Sequence, residues 1–331
     1  RVQWRREDEH AWEPFSTPMV VKVKASVGGD GKVSDWQFDF WSHNHGQRPR
    51  PSKEHSSLLA ASKTTDAWPV PAKSPNQGLE AGEHRNAWPA YTFKEPRLRK
   101  HFLPNPTFRC SSLRGLGTLT NVFAIESMMD DLAHASGQDA VAFRLKHLDD
   151  PRARDVVEAT AEAIGWDPKS WGNGRAQGLA YNRYKNTAAY CAVAIELTVD
   201  AKTGVITIER VASAVDAGEA VSPDGVANQV EGGVVQTISW ALKERVRFDP
   251  INVTSLDWES YPILKLPESP ETKIVVMARP GTPYLGVGEA SQGPTPAAIS
   301  SAVRRAIGAQ LREMPFTPDR VRAMIAEADH R

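Results

Sequence analysis

Apolar and polar side chains alternate over residues 19–27 and 32–42 on either side of Gly28-Gly29-Asp30-Gly31. A period of two fits only a strand with one buried face, and the glycines supply the turn, so this region must be a β-hairpin. The same pattern returns over 189–199 and 205–215, across Ala201-Lys202-Thr203-Gly204. The segments between and after these hairpins carry helical spacing instead. Residues 121–135 present Val122, Phe123, Ile125, Met128, Met129 and Leu132; 141–148 follow an Asp139 cap; and 152–164 close on Gly165. Ser222-Pro223-Asp224 opens a long helix to about 243, Thr317-Pro318-Asp319 caps a last one to about 327, and strands are expected at 273–277 and 247–253. Hairpins and helices are segregated rather than alternating. The fold class is therefore α+β, antiparallel hairpins packed with helices, and not a doubly wound parallel sheet.

At 331 residues the chain is long enough for about two hydrophobic cores. The glycines between 172 and 178 mark a joint, giving a first α+β subdomain at 1–171 and a second at 172–331. Between His45 and His101 periodicity fails, and prolines 49, 51, 69, 71, 75, 89 and 96 punctuate a polar stretch. So long an irregular run is unusual inside a compact domain. Trp68, Trp88 and Tyr91-Thr92-Phe93 are the wrong composition for disorder, so this is expected to be an ordered arm held against another surface.

Forty basic and forty acidic residues cancel, which gives no support to a nucleic-acid groove or an anionic membrane surface as partner. No apolar run approaches the ~20 residues of a membrane span. Only Cys110 and Cys191 are present, so four-cysteine zinc or iron–sulfur sites cannot be held by this chain. The nine histidines offer no metal-ligand spacing; His43-Asn44-His45 lacks a third ligand and reads as a polar pair at the surface. The chain opens on Arg1-Val2-Gln3-Trp4, without an initiator Met or signal peptide, and cleavage or truncation upstream is the expectation.

The chemistry concentrates in Leu285-Gly286-Val287-Gly288-Glu289-Ala290, followed by Gly293-Pro294-Thr295-Pro296. Two glycines clear the space beside one carboxylate. Thr295 reads as an N-cap and Pro296 as the first residue of a helix to 307, with Ala298, Ile299, Ala302, Val303 and Ala306 on its apolar face. A helix N-terminus favours anions, so the loop fits a general base beside an anionic ligand. A Gly-rich turn with a solvated glutamate fits the same local pattern. Arg114-Gly115-Leu116-Gly117 places a guanidinium beside two glycines just before a helix, which suits an anion or, equally, a structural ion pair. Gln229-Val230-Glu231-Gly232-Gly233 puts adjacent glycines inside a helix at roughly 1 kcal/mol each, so a ligand or a neighbouring segment must approach closely. Asp216 ends a strand in Asp216-Ala217-Gly218 and is expected to cap a turn. A lone glutamate without nucleophile or metal ligands needs a cofactor.

Taken together, these motifs resemble the large, molybdenum-binding subunit of the xanthine oxidase family of molybdenum hydroxylases. The branch most similar is the isoquinoline 1-oxidoreductase beta-subunit and aldehyde dehydrogenase type. The resemblance runs end to end on Trp4-Arg5-Arg6-Glu7-Asp8-Glu9, Arg114-Gly115-Leu116-Gly117-Thr118 with Asn121-Val122-Phe123-Ala124-Ile125-Glu126-Ser127, Arg183-Tyr184-Lys185-Asn186-Thr187-Ala188-Ala189-Tyr190, Asp216-Ala217-Gly218, Gln229-Val230-Glu231-Gly232-Gly233 and Gly286-Val287-Gly288-Glu289-Ala290.

The resemblance implies an oxidoreductase that hydroxylates an aldehyde or an N-heteroaromatic carbon with oxygen from water. Glu289 stands where the family has its catalytic base. Arg114, Gly115, Gly117, Gln229, Gly232, Gly288 and Ala290 stand at cofactor-binding positions, with no direct metal ligand, and Leu116 lies in the substrate pocket. Relatives such as xanthine dehydrogenase have an aromatic at the position of Leu116, so a purine is disfavoured. An ordinary glutamate is a poor base at neutral pH, so the role asks for a site that withholds water from it.

The implied cofactor is a molybdenum-pterin, in the molybdopterin cytosine dinucleotide form. The implied partners are a small subunit with [2Fe–2S] clusters and a c-type cytochrome. The family's further Gly-rich cofactor loops do not occur here. An N-terminal half of the large subunit, as a separate chain or segment, is therefore expected to complete the cradle, held by the arm at 45–101. Exported relatives make the periplasm the expected compartment, with the cytoplasm otherwise. A non-catalytic assembly or scaffold subunit is the alternative, although a scaffold has no need of Glu289, Arg114 and the Gln229–Gly233 helix as a set.

Overall fold

The computed structural model describes residues 1–46, 64–67, 73–169 and 172–329. Trp68 and the stretches 47–63 and 68–72 of the arm lie outside the described residues. The chain begins with a short helix, α1 (Arg6–Trp12), and then the expected hairpin, β1 (Met19–Val27) antiparallel to β2 (Val33–Ser42). Trp36, Phe38 and Phe40 alternate onto the buried face of β2, as its period of two requires. A third strand, β3 (Pro96–Phe102), joins parallel to β2. It falls inside the segment that the sequence presents as irregular. Its charged residues Arg97, Arg99 and Lys100 mark an edge strand, and its proline stands at the first position, where a missing N–H costs nothing.

Three helices follow: α2 (Thr118–Ala135), α3 (Ala140–Lys146) and α4 (Pro151–Ile164). The Asp139 carboxylate caps α3 by accepting from the N–H groups of Val141 and Ala142, and Gly165 at φ 70° ends α4. The second sheet runs β4 (Arg175–Arg183), β5 (Tyr190–Val199), β6 (Ile206–Asp216), β7 (Glu271–Val276), with β6 and β7 parallel. Residues 172–178, read as a joint, therefore lead into and begin β4. The strand expected at 247–253 reduces to one bridge between Phe248 and Val253. After β6 come α5 (Pro223–Leu242), α6 (Pro294–Ile307) and α7 (Pro318–Asp329).

Strand β5 is buried on both faces, not on the single face that its alternation implies, because helices cover the second sheet on both sides. Cys191, Val193, Ile195 and Leu197 face the cluster containing Val230, Val234 and Ile238 of α5 and Ile299 and Val303 of α6. Ala192 and Ala194, with Ala212 and Ala214 of β6, face α4 and the core beneath the first sheet. Those alanines let α4 lie close enough for Thr160 Oγ1 to accept from the Ala214 N–H at 2.9 Å. The other face is tighter still. A Cβ on Gly178 would sit 2.2 Å from the Ala298 carbonyl oxygen, so α6 rests directly on the backbone of β4. Helix α6 is buried almost all round and carries the Glu289 loop at its head. Among the described residues, no helix is long and apolar enough to cross a membrane.

Candidate active site

The loop that carries Glu289 hangs from the end of β6. The Leu285 N–H donates to the Ala217 carbonyl at 2.7 Å, and Gly218, at φ 71°, packs so tightly that a Cβ would lie 2.0 Å from the Pro283 carbonyl oxygen. Asp216 does accept from the Gly218 N–H at 2.9 Å, as a turn-capping residue should. It is also clamped between Arg152 and Arg279, the latter at 2.8 Å. Burial alone would raise the Asp216 carboxyl; the two guanidiniums and the Gly218 N–H outweigh it and hold it below the usual carboxylate range.

Glu289 stands 29 % exposed at the meeting point of three segments. Its Oε1 accepts from the Gly115 N–H at 3.0 Å. Its Oε2 accepts from the Tyr184 hydroxyl and from Arg85 Nη1 at 3.3 Å. Tyr184 is buried, and burial together with its bond to Glu289 pushes its hydroxyl well above the ordinary tyrosine value.

Arg114 braces the loop from behind. Nε donates to the Gly288 carbonyl at 2.7 Å, Nη2 to the Gln229 carbonyl and side chain at 2.9 and 3.1 Å, and Nη1 to Gln236 Oε1 at 3.3 Å. Burial pulls its guanidinium down from the usual value, and the Glu289 charge opposes that. With its amide oriented to satisfy both ends, Gln292 donates to the Glu289 carbonyl and accepts from Arg114 Nε.

Glycines let these segments touch. A Cβ on Gly233 would lie 2.2 Å from Ser291 Oγ, so the interior glycine of α5 is the contact point for the loop after Glu289. A Cβ on Gly117 would lie 2.8 Å from the carbonyl oxygens of both Gly82 and Glu83, which brings the arm's described turn at 82–86 onto the head of α2. That turn is pinned by Asn121, which donates to the carbonyls of Glu83 and Arg85 at 3.0 and 2.9 Å. It is pinned again by Asn86, which donates to the Arg183 carbonyl at 2.7 Å and accepts from the Lys185 N–H at 2.9 Å. This part of the arm thus packs on its own chain and delivers Arg85 to Glu289.

Glu289, Arg114, Gly115, Gln229 and Gly288 are therefore brought together, and Gly117 seats the arm. Gly232 is exposed one turn from Gln229 on α5, with open space where a Cβ would be. Ala290 turns away into the core. Leu116 is half-buried at φ 50°, a left-handed conformation unusual for leucine. Thr295 is not the N-cap: α6 starts at Pro294 with Gly293 as its cap, and the Thr295 hydroxyl donates to the Ser291 carbonyl at 2.7 Å. His45 is not at the surface either; it is buried, and burial pushes its imidazole down to about 4. Sequence reasoning missed Arg85, which lies in an aperiodic stretch, and gave Tyr184 no role although it quoted the surrounding motif. A cavity of about 650 Å³ beside α1, lined by Phe108, Trp240, Phe248 and Trp258, contains none of the residues around Glu289.

Residues 117–270 match the family described as molybdopterin cofactor-binding domain. The chain is 38 % identical to one of the subunits of nicotinate dehydrogenase from Pseudomonas putida, over 98 % of this chain and 27 % of that protein. It is 35 % identical to the beta subunit of isoquinoline 1-oxidoreductase from Brevundimonas diminuta, over 96 % of this chain and 38 % of that protein. It thus spans less than half the length of these curated relatives. Its fold is that of quinoline 2-oxidoreductase from Pseudomonas putida 86, with a TM-score of 0.77 at 12 % identity, covering 98 % of this chain and 64 % of that one. On this sequence similarity and this fold, the chain belongs to the molybdenum hydroxylases, as part of their molybdopterin-binding large subunit.

Proposed function

We propose that this chain supplies the catalytic base and part of the cofactor cradle of an enzyme that hydroxylates an electron-poor carbon with oxygen from water. The single observation that carries this reading is the convergence on Glu289: one half-buried carboxylate, oriented by a backbone N–H, a tyrosine and an arginine drawn from distant segments.

The residues present fit a pterin-ligated metal. Among the described residues, a Cβ on Gly232 or Gly286 would meet nothing within 4 Å, so backbone lies open on α5 and on the loop that carries Glu289. The side chains there are Gln229, Gln236 and Arg114, two neutral amides and a cation, which suit the mixed donor and acceptor edge of a pterin and its phosphate. Gln229, Gly232, Gly288 and the turn 114–117 would hold it. When bound, such a cofactor supplies the two-electron acceptor and the place where oxygen from water is delivered. Glu289 takes the proton from the reacting oxygen, and Gly115 and Tyr184 keep its carboxylate in place while it does so.

The relatives named nicotinate dehydrogenase and isoquinoline 1-oxidoreductase favour an N-heteroaromatic substrate over an aldehyde. Leu116, smaller than the aromatic of purine-oxidising relatives, agrees with a ring other than a purine. The same reading carries a cytosine dinucleotide form of the cofactor, the rest of the large subunit as companion, a [2Fe–2S] small subunit, a c-type cytochrome as acceptor and a periplasmic site. Glu289→Gln in the assembled complex tests the core of the proposal. Turnover should disappear while molybdenum measured by mass spectrometry stays stoichiometric; retained turnover would sink the assignment.

A further inference from the structure

The two oxygens of Glu289 are not equivalent. Among the described residues, Oε2 accepts from two donors, the Tyr184 hydroxyl and Arg85 Nη1, whereas Oε1 accepts from the Gly115 N–H alone. A carboxylate oxygen has two in-plane lone pairs, so Oε2 is filled and Oε1 keeps one free. We propose that Tyr184 is a positioning residue that locks Oε2 and thereby directs the incoming proton to the open lone pair of Oε1. This rests on Glu289 being the base. In that step the O–H bond of the reacting hydroxyl breaks, its electron pair stays on that oxygen, and an H–Oε1 bond forms.

Tyr184 is built for the task. It is 4 % exposed and sits at the start of a turn whose next two residues, Lys185 and Asn186, have φ of 57° and 60°. Asn86 holds that turn from both sides, through the Arg183 carbonyl and the Lys185 N–H. The aromatic ring allows the hydroxyl little freedom once the turn is fixed, whereas Arg85 reaches Glu289 by a longer bond. The charged groups facing the carboxylate are Arg85 directly, Arg114 through the loop, and Lys185, whose ammonium lies 5.5 Å from the centre of the Tyr184 ring.

The test is Tyr184→Phe in the assembled complex, with Arg85→Lys beside it. A hydrogen bond to the ionised carboxylate favours that form, so its loss should move the acid limb of kcat/KM to higher pH by about one unit. The plateau rate should fall roughly tenfold while molybdenum content is unchanged, as expected for a lost charge-assisted bond. Arg85→Lys keeps the charge but loses the bond that Arg85 Nη1 donates to the Tyr184 hydroxyl at 2.5 Å, so its limb should move the same way and by less than that of Tyr184→Phe. A second readout needs no turnover: the infrared carboxylate band that disappears in Glu289→Gln should titrate at higher pH in Tyr184→Phe. If Tyr184→Phe does not fold, 3-fluorotyrosine at 184, a stronger donor of the same shape, should move limb and band to lower pH. An acid limb and an infrared midpoint unchanged in Tyr184→Phe, or in the 3-fluorotyrosine protein where that replaces it, or moved further by Arg85→Lys than by Tyr184→Phe, would overturn the proposal. Activity retained in Glu289→Gln would instead overturn the reading of Glu289 as base, and the infrared shift would still report whether Tyr184 binds it.

Discussion

The Gly115 N–H and the Glu289 carboxylate meet at 3.0 Å across 174 positions of sequence, and they meet because Gly115 adopts φ 94° with Gln292 packed against its missing side chain. A Cβ there would lie 3.1 Å from Gln292 Cβ on a backbone that an L-residue resists. Gly115→Ala should therefore turn the N–H away from Glu289. A hydrogen bond to a charged group contributes about 1.5–3 kcal/mol, so kcat/KM should fall roughly tenfold to a hundredfold. Steady-state kinetics on the assembled complex check this, and an unchanged rate counts against any role for that N–H.

The adjacent glycines of α5 should part company on mutation. Gly233→Ala must push Ser291 and Gln292 aside, so melting temperature and activity should both fall. Gly232→Ala meets open space and removes a helix-breaking residue, so stability should hold or rise by up to about 1 kcal/mol. Activity should fall in this second variant only if a ligand lies on that face, which makes the pair a direct probe of the cradle. Differential scanning calorimetry beside turnover separates the two effects.

Arg144 is fully buried between α2 and α3, with Nε on Glu126 and Nη1 on Asp130, each at 2.8 Å. Glu126 also accepts from the Tyr91 hydroxyl at 2.6 Å and the Tyr181 N–H at 2.8 Å. Removing one partner of a buried pair strands the other, so Arg144→Ala should cost about 3–5 kcal/mol in urea unfolding. A loss under about 1 kcal/mol would show that the cluster does not hold these helices together.

Acid should weaken the fold through its buried histidines. Burial pushes His45 from 6.5 to about 4 and lowers His84 and His147 in the same direction. Between those limits the unfolded chain binds more protons than the folded one, so stability falls as pH drops from about 6.5 towards 4. From the 2.5-unit difference, His45 contributes at most roughly 3 kcal/mol. Denaturant midpoints at pH 7.5 and 4.5 should differ accordingly, and His45→Gln should narrow the gap; an equal gap in the variant would remove His45 as the cause.

Local rules made much of this legible. The hairpins declared themselves by alternation around glycine turns, and α4 by its stripe and its Gly165 stop. Strand β3 did not, because its charged edge pairs with β2 only after a long excursion. Strand β4 did not, because Gly178 reads as a loop until α6 is seen lying on it. At the site, glycines flagged Glu289 and Arg114, since close approach leaves a mark in sequence. Arg85 left none: its position follows from Asn86, Asn121 and Gly117, and only tertiary structure brings those together. Thr295 misled because a threonine before Pro296 has the form of a cap, whereas the helix begins earlier, at Pro294.

The contacts at Glu289 span 174 residues to Gly115, 105 to Tyr184 and 204 to Arg85. Closing loops of that length costs more chain entropy than forming a hairpin or a helix, whose contacts are local. The carboxylate's surroundings therefore depend on long-range closure and not on local structure. A chain with all its hairpins and helices formed would still lack an oriented base, and Glu289 gains its partners only when the arm, the Arg114 turn and the head of α6 have closed on one another.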